Sequence, residues 1–219
     1  MNPNTKIIIV DDHLLFREGM KLLIEKEGMG EVIAEAEDGQ IFLDLLENLK
    51  PDLVLMDIDM PVMGGLEACL KAKAIIPDLK ILVLTMLSEK ENYTEMVNAG
   101  AMGFILKTSG KQELEKAIKT VIGGESYFSN HLLREIILNM GKKQPISINS
   151  FDIDIKFTER ELEILQYFCE GYTATEIAEK LFRSIKTIES HRSRLLEKTH
   201  SKNTINLVLY AIRNKLIEI

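Results

Sequence analysis

The sequence predicts two domains of different fold class, first a doubly wound α/β domain with five parallel strands and then an all-α domain of four helices. Short apolar runs alternate with helical stretches over residues 1–125, which is the pattern of successive βα units. After residue 155 only helical periodicity remains. A length of 219 residues suits two domains that each bury a core.

Four apolar runs predict buried strands in the first domain, because they are short and rich in aliphatic or β-branched residues. The runs are Lys6–Val10, Asp52–Asp57, Leu79–Leu84 and Ala101–Leu106. Helical stretches fall between and after them, at about residues 14–27, 40–49, 65–75, 89–99 and 110–122. Gly123 and Gly124 end the last of these helices.

Reactive side chains stand where these strands end. Asp11 and Asp12 follow the first run, Asp57 closes the second, and Thr85 and Lys107 follow the other two. Parallel sheets bind ligands at the carboxyl ends of their strands, so these groups should converge. Clustered carboxylates need a cation between them, which predicts an Mg²⁺ site formed by Asp11, Asp12 and Asp57.

The same set of groups matches the requirements of phosphoryl transfer. Mg²⁺ and the ammonium of Lys107 would neutralise phosphoryl oxygens, Thr85 would supply a hydroxyl, and Asp57 would accept the group as an acyl phosphate. A single aspartate after a strand is more often a turn former or a helix cap. Four strands that each end in a reactive group make coincidence a poor explanation.

Residues 126–154 are predicted to be a linker. One short amphipathic helix is expected at residues 130–140, and the hinge is expected at residues 141–154, where periodicity is lost around Pro145.

The second domain, residues 155–219, has the pattern of a helix-turn-helix. Thr158 and Glu161 form a capping box that starts one helix, which Gly171 stops. A short helix over Thr175–Lys180 and a turn lead to Ser184, the predicted N-cap of a helix that runs to about Lys198. A last helix is predicted over Thr204–Lys215.

Charge divides unevenly along the chain, whose formal net charge is -7. Acidic residues dominate the first domain, whereas residues 183–202 hold six bases against only Glu189 and Glu197. A basic stripe in an acidic protein favours contact with a polyanion. The predicted helix after Ser184 places polar side chains on its outer face, as a recognition helix does in the major groove.

At residues 5–125 the chain resembles the receiver domain of bacterial two-component response regulators, whose fold is flavodoxin-like. The resemblance rests on the order Asp11-Asp12, Asp57, Thr85, Lys107 and on the motif Met56–Gly65. It implies that Asp57 is the phosphoacceptor, that Asp12 binds Mg²⁺ directly and Asp11 through water, and that Asp59 contributes its backbone carbonyl. It also implies a switch in which Thr85 and Phe104 move, and a position at Leu87 that affects phosphoryl lifetime. Receivers often have Pro after the lysine, where this chain has Thr108, which leaves open whether the Lys107–Thr108 bond is cis.

Residues 156–217 resemble the LuxR-type helix-turn-helix, through Phe157–Glu161, Gly171–Leu181 and Ser184–Arg192. With the receiver in front, the chain is similar to response regulators of the NarL/FixJ class. The resemblance implies base contacts by Glu189, Ser190 and Ser193, and phosphate contacts by Lys186, Thr187, Arg194 and Lys198. Thr199-His200 replaces the usual Leu-Gly, at a helix end where glycine accommodates positive φ more easily.

The function implied is a DNA-binding transcription regulator that a sensor histidine kinase activates by phosphorylating Asp57, and that binds a two-fold related DNA site as a homodimer. The absence of a long apolar segment predicts a cytoplasmic protein, and no separate enzymatic activity is expected. Two alternatives remain open. One is a phosphohydrolase of haloacid-dehalogenase type that uses Asp57 and Asp59, and the other is a DNA-binding protein that is not controlled by phosphorylation.

Overall fold

The computed structural model describes residues 4–86, 93–128, 156–201, 203–214 and 216–217. The chain divides into two compact units, Met1–Phe128 and Ser129–Ile219, and each is described by itself. The helix predicted at residues 130–140, the hinge predicted at residues 141–154 and Leu87 lie outside the described residues.

The first unit is built on a parallel sheet with the strand order β2-β1-β3-β4-β5-β6. Neighbouring strands pair in parallel throughout this sheet, as the alternation of strands and helices predicts. The central strands are buried along most of their length, which explains their continuous apolar sequences. The strands are β1 Lys6–Val10, β2 Glu31–Ala36, β3 Leu53–Asp57, β4 Lys80–Thr85, β5 Gly103–Leu106 and β6 Tyr127–Phe128.

Five helices of this unit follow β1 to β5 in turn, so that each helix lies between two consecutive strands along the chain. Their positions agree with the predicted stretches, and the second helix ends three residues before its predicted end; residues 89–92 of the predicted fourth helix lie outside the described residues. The side chain of Asp38 caps α2 by accepting the N–H groups of Gln40 and Ile41. The helices are α1 Leu14–Lys26, α2 Gly39–Leu46, α3 Gly65–Ile75, α4 Tyr93–Asn98 and α5 Lys111–Ile122.

The sheet has a sixth strand that the sequence did not predict. Tyr127 and Phe128 pair with Gly103 and Phe104 along the edge of β5. Two residues are too short to show the alternation by which a strand is recognised. The first unit therefore extends beyond residue 125, the last residue before the predicted linker.

The second unit contains four described helices, α6 Glu159–Cys169, α7 Ala174–Lys180, α8 Ile185–Lys198 and α9 Thr204–Arg213. The capping box of Thr158 and Glu161 is present at the start of α6, and a second one, of Thr173 and Glu176, begins α7. Ser184 caps α8 as predicted. Helices α7 and α8 are the two helices of the helix-turn-helix.

Two helix ends in this unit have backbone conformations that the sequence indicated. Gly171 follows α6 with φ of 84°, which glycine adopts without strain. After α8, His200 has φ of 51°. His200 stands where glycine is usual, and it adopts the left-handed conformation at this join.

Among the described residues, no helix combines the length and the hydrophobicity that a membrane crossing requires.

Candidate functional site: a carboxylate cluster and a recognition helix

The carboxyl ends of β1, β3, β4 and β5 meet at one edge of the sheet, because these strands are parallel neighbours. The register places Val10 beside Met56, Asp57 beside Leu84, and Thr85 beside Leu106. Asp11, Asp57, Thr85 and Lys107 are therefore carried to the same rim. The convergence predicted from the strand ends is present.

Lys107 lies between two carboxylates at the centre of this rim. Its Nζ is 2.7 Å from Oδ2 of Asp11 and 2.6 Å from Oδ2 of Asp57. The other oxygen of Asp57 accepts the backbone N–H of Ile58 at 2.8 Å. All three side chains are at least nine-tenths buried, so water screens these charges little.

The electrostatics of the rim leave negative charge in excess. Burial raises the pKa of Asp57, and the charge of Asp11 adds to this rise, although hydrogen bonds from Lys107 and Ile58 oppose it. Burial acts to lower the pKa of Lys107, but its bonds to Asp11 and Asp57 outweigh burial, and the pKa is raised. One ammonium is thus shared by two buried carboxylates, so a further cation would be stabilised here.

The ligand atoms present at this rim fit a divalent metal ion. Ligand atoms of Asp11, Asp12, His13 and Asp57 all lie within 4.8 Å of one another, and carboxylate oxygens are the ligands that Mg²⁺ prefers. His13 was not predicted as a member of this cluster. Its Nδ1 lies 2.7 Å from Oδ1 of Asp12 and 3.2 Å from Oδ1 of Asp11, and its position directly after the acidic pair could have indicated it. Asp59 is exposed on the loop after β3.

The loop between β3 and α3 holds Asp57 through close backbone contacts. The N–H of Gly65 donates to the carbonyl of Ile58 at 2.8 Å. A Cβ at Gly65 would overlap the carbonyl oxygen of Asp57 and lie 3.1 Å from its carbonyl carbon, so only glycine fits. Val62 in the same loop has φ of 62° and is 85% exposed.

Two further residues of α1 contact the rim and were not identified from the sequence. The buried guanidinium of Arg17 donates to the backbone carbonyl of Asp11 and thereby holds the loop that presents the acidic pair. The ring of Phe16 lies 5.2 Å from Nζ of Lys107, close enough for a cation–π contact. The helical spacing of Phe16 and Arg17 carries no signal that distinguishes them from ordinary packing residues.

The predicted switch residues lie in a row of buried side chains. Oγ1 of Thr85 is 3.3 Å from the hydroxyl of Tyr93, and the ring of Tyr93 packs edge-on against Phe104 with centroids 5.8 Å apart. Phe104 is fully buried and also contacts Phe128, at 5.1 Å. The peptide bond between Lys107 and Thr108 is trans.

In the second unit, α8 presents a polar face to solvent. Lys186, Thr187, Ser190, Ser193 and Arg194 are exposed, and Glu189 is half-buried. The hydroxyl of Ser190 donates to the carbonyl of Lys186 at 2.9 Å, and Thr187 is bonded to the cap residue Ser184. These six residues share the outer face on which the sequence placed DNA contacts.

Lys198 differs from the predicted phosphate contact. Its Nζ lies 2.7 Å from Oε2 of Glu161 and donates to the carbonyl of Lys156 at 3.1 Å. The ammonium is therefore held by the start of α6. The sequence could not show this, because the two partners of the ion pair are separated by 37 positions.

Comparisons with known proteins agree with both units. The model of the response regulator receiver domain matches residues 7–119, and the model described as bacterial regulatory proteins, luxR family, matches residues 156–211. The oxygen regulatory protein NreC of Staphylococcus epidermidis is 37% identical over 97% of this chain and 99% of its own length. NreC of Staphylococcus aureus is 38% identical over the same shares. The chain belongs to the NarL/FixJ class of response regulators.

Solved structures of response regulators have the same architecture. ChrA, from a heme-sensing two-component system, matches with a TM-score of 0.54 and 25% identity over 98% of this chain and 100% of ChrA. RcsB, solved as two dimers bound to two parallel DNAs, matches with a TM-score of 0.55 and 28% identity over 94% of this chain and 97% of RcsB.

As a NarL/FixJ-class response regulator, the protein is a DNA-binding transcription regulator. The two matching family models describe regulatory domains, and neither describes a phosphohydrolase of haloacid-dehalogenase type. Receiver domains typically bind Mg²⁺ at an acidic pocket, and in this chain Asp11, Asp12 and Asp57 form a cluster of carboxylates at the rim of the sheet.

Proposed function

We propose that Asp57 accepts a phosphoryl group from a sensor histidine kinase, and that this modification controls binding of the second unit to DNA. The ion pairs of Lys107 with Asp11 and Asp57 carry the proposal. They concentrate a nucleophilic carboxylate, a second carboxylate and a cation within hydrogen-bond distance. Turn-forming aspartates do not need such a partner.

The geometry supplies the parts of an in-line transfer. A carboxylate oxygen of Asp57 attacks phosphorus, the bond to the donor breaks, and an acyl phosphate forms. Lys107 is already placed to neutralise charge on the incoming phosphoryl oxygens, and Gly65 and Ile58 fix the carboxylate for the attack. Mg²⁺, held by Asp11, Asp12, Asp57 and the backbone carbonyl of Asp59, would neutralise the remaining oxygen charge when bound.

The phosphoryl group would then shift the receiver between two states. Thr85 and Lys107 gain contacts that exist only in the phosphorylated form, which is what a change of population requires. Movement of Thr85 would alter its contact with Tyr93 and hence the packing of Phe104. Because Phe104 packs on Phe128, the last residue of β6, the change would reach the end of the first unit.

The second unit would read DNA with α8, as a homodimer on a two-fold related site. Glu189, Ser190 and Ser193 are proposed to face base edges, and Lys186, Thr187 and Arg194 to contact phosphates. The linker predicted at residues 126–154 is kept from residue 129 onward, because Tyr127 and Phe128 belong to β6. A protein that takes a phosphoryl group from a kinase and binds DNA would act in the cytoplasm.

The test is to incubate the full-length protein with acetyl phosphate and Mg²⁺ and to follow its intact mass over time. We expect one phosphoryl adduct that requires Mg²⁺ and is absent from Asp57→Ala. Turnover of many equivalents of acetyl phosphate without an adduct would instead indicate a phosphohydrolase. Neither adduct nor turnover would leave a DNA-binding protein that phosphorylation does not control.

A further inference from the structure

The ammonium of Lys198 is bound by groups of its own unit, and 35% of the side chain is exposed. Two of the three donors of an ammonium are used, one by Oε2 of Glu161 and one by the carbonyl of Lys156. The ring of Phe157 lies 5.8 Å from the same Nζ. Lys198 is the last residue of α8, and all three partners belong to the start of α6 or the residues just before it.

Glu161 gives this contact its strength. It is 4% exposed, and its Oε2 also accepts the N–H of Thr158 at 2.8 Å and the Thr158 hydroxyl at 3.1 Å. Burial acts to raise the pKa of Glu161, but hydrogen bonds from Lys198 and Thr158 outweigh burial and lower the pKa. If Lys198 turned to a phosphate, it would leave a buried carboxylate without its cation, which is strongly unfavourable.

Two other cations of α8 are arranged differently. Lys186 and Arg194 are exposed, and within the described part of the chain the structure gives neither side chain an ion pair or a hydrogen bond. They are free to contact phosphates without breaking an internal bond. The recognition helix thus separates its exposed cations from the cation at its carboxyl end.

We propose that Lys198 is a positioning residue, which anchors the carboxyl end of α8 to the capping box of α6 and so fixes how the recognition helix enters the groove. It does not neutralise a DNA phosphate. The proposal rests on the DNA-binding function of the second unit, and it assigns Glu161, which lies inside the unit, an effect on DNA affinity.

The test uses full-length protein and a fluorescent duplex recovered from a random-sequence pool by selection on the wild type. Dissociation constants are measured over a range of KCl concentrations for Glu161→Gln, Lys198→Met, the double variant and Arg194→Met. Gln can still form the capping box at position 161, so Glu161→Gln removes the ion pair and keeps the helix start. Helical circular dichroism at the assay temperature checks that each variant is folded.

We expect Glu161→Gln and Lys198→Met each to weaken binding by about tenfold, without a change in the slope of log K against log salt. The double variant should bind no more weakly than Lys198→Met, because both changes remove one interaction. Arg194→Met should reduce the slope by about one for each phosphate that the arginine neutralises in the wild type.

A phosphate contact by Lys198 predicts a different pattern. Lys198→Met would then reduce the slope as Arg194→Met does, and Glu161→Gln would strengthen binding, since it removes a competing negative charge. Either result overturns the proposal, as does unfolding of Glu161→Gln. If selection on the wild type enriches no duplex, DNA binding itself fails, and that outcome is distinguishable from every pattern of variant slopes.

Discussion

Gly65→Ala should damage the phosphorylation site although it adds only one methyl group. The new Cβ would overlap the backbone oxygen of Asp57 and stand 3.1 Å from the Asp57 carbonyl carbon and from Cα of Ile58. Backbone atoms cannot rotate away, so the loop has to open by about 1 Å to restore normal contact. That movement also stretches the hydrogen bond from Gly65 to Ile58.

The cost follows from these two effects. Overpacking of this kind destabilises by about 1–3 kcal/mol, and loss of the hydrogen bond adds about 1 kcal/mol. A total of about 2–4 kcal/mol should lower the Tm of the first unit by roughly 8–16 °C. Displacement of Asp57 by about 1 Å should slow its phosphorylation on the order of 100-fold.

Gly64→Ala is the matched control, because a Cβ there would meet only the carbonyl oxygen of Ile58, at 3.4 Å. Thermal unfolding and the rate of adduct formation with acetyl phosphate are measured for both variants and the wild type. Gly64→Ala should retain nearly the wild-type Tm and rate. If Gly65→Ala is phosphorylated as fast as Gly64→Ala, the backbone contact does not position Asp57 and the reasoning fails.

Three other changes test the energetics of the chain. Val62→Gly should raise the free energy of unfolding by about 0.5–1 kcal/mol in urea titrations, because the left-handed strain of an exposed valine exceeds the entropic cost of glycine; a loss of stability would contradict this. Asp57→Asn should raise the Tm by a few degrees at pH 7, with a gain that shrinks towards acid, because a carboxyl whose pKa is raised by folding loses stability as pH rises through that pKa. An equal gain at pH 4 and pH 7 would argue against a raised pKa. The pKa of Glu161 is shifted in the opposite direction, because folding lowers it. Glu161 therefore stabilises the fold above its ordinary pKa of 4.5, and this stabilisation is lost as pH falls further. In Glu161→Gln the free energy of unfolding of the second unit should therefore depend less on pH in the acid range. An unchanged pH dependence would refute the assignment.

The sequence predicted the parts of the site that depend on regular structure. Asp11, Asp57, Thr85 and Lys107 could be placed together because each ends or directly follows a buried strand, and parallel strands present their ends at one edge. The capping box of Thr158 and Glu161 could be predicted because its spacing is local. In these cases a short stretch of chain contains all the information.

What escaped prediction depends on contacts between distant segments. Strand β6 is two residues long and is defined by its pairing with β5. The ion pair of Lys198 with Glu161 joins two helices that are distant in sequence, and nothing in the sequence indicated that Lys198 has a partner inside its own unit. Arg17 acts through a backbone carbonyl, for which no residue type in the sequence gives a signal.

The central claim is that a phosphoryl group on Asp57 changes the affinity of the protein for DNA. The most direct measurement is the dissociation constant for the selected duplex, at one fixed salt concentration, before and after treatment with acetyl phosphate and Mg²⁺, in the wild type and in Asp57→Ala. Phosphorylation should tighten wild-type binding by tenfold or more, about 1.4 kcal/mol, and leave Asp57→Ala unchanged. Equal wild-type affinity before and after a verified phosphorylation would contradict the claim.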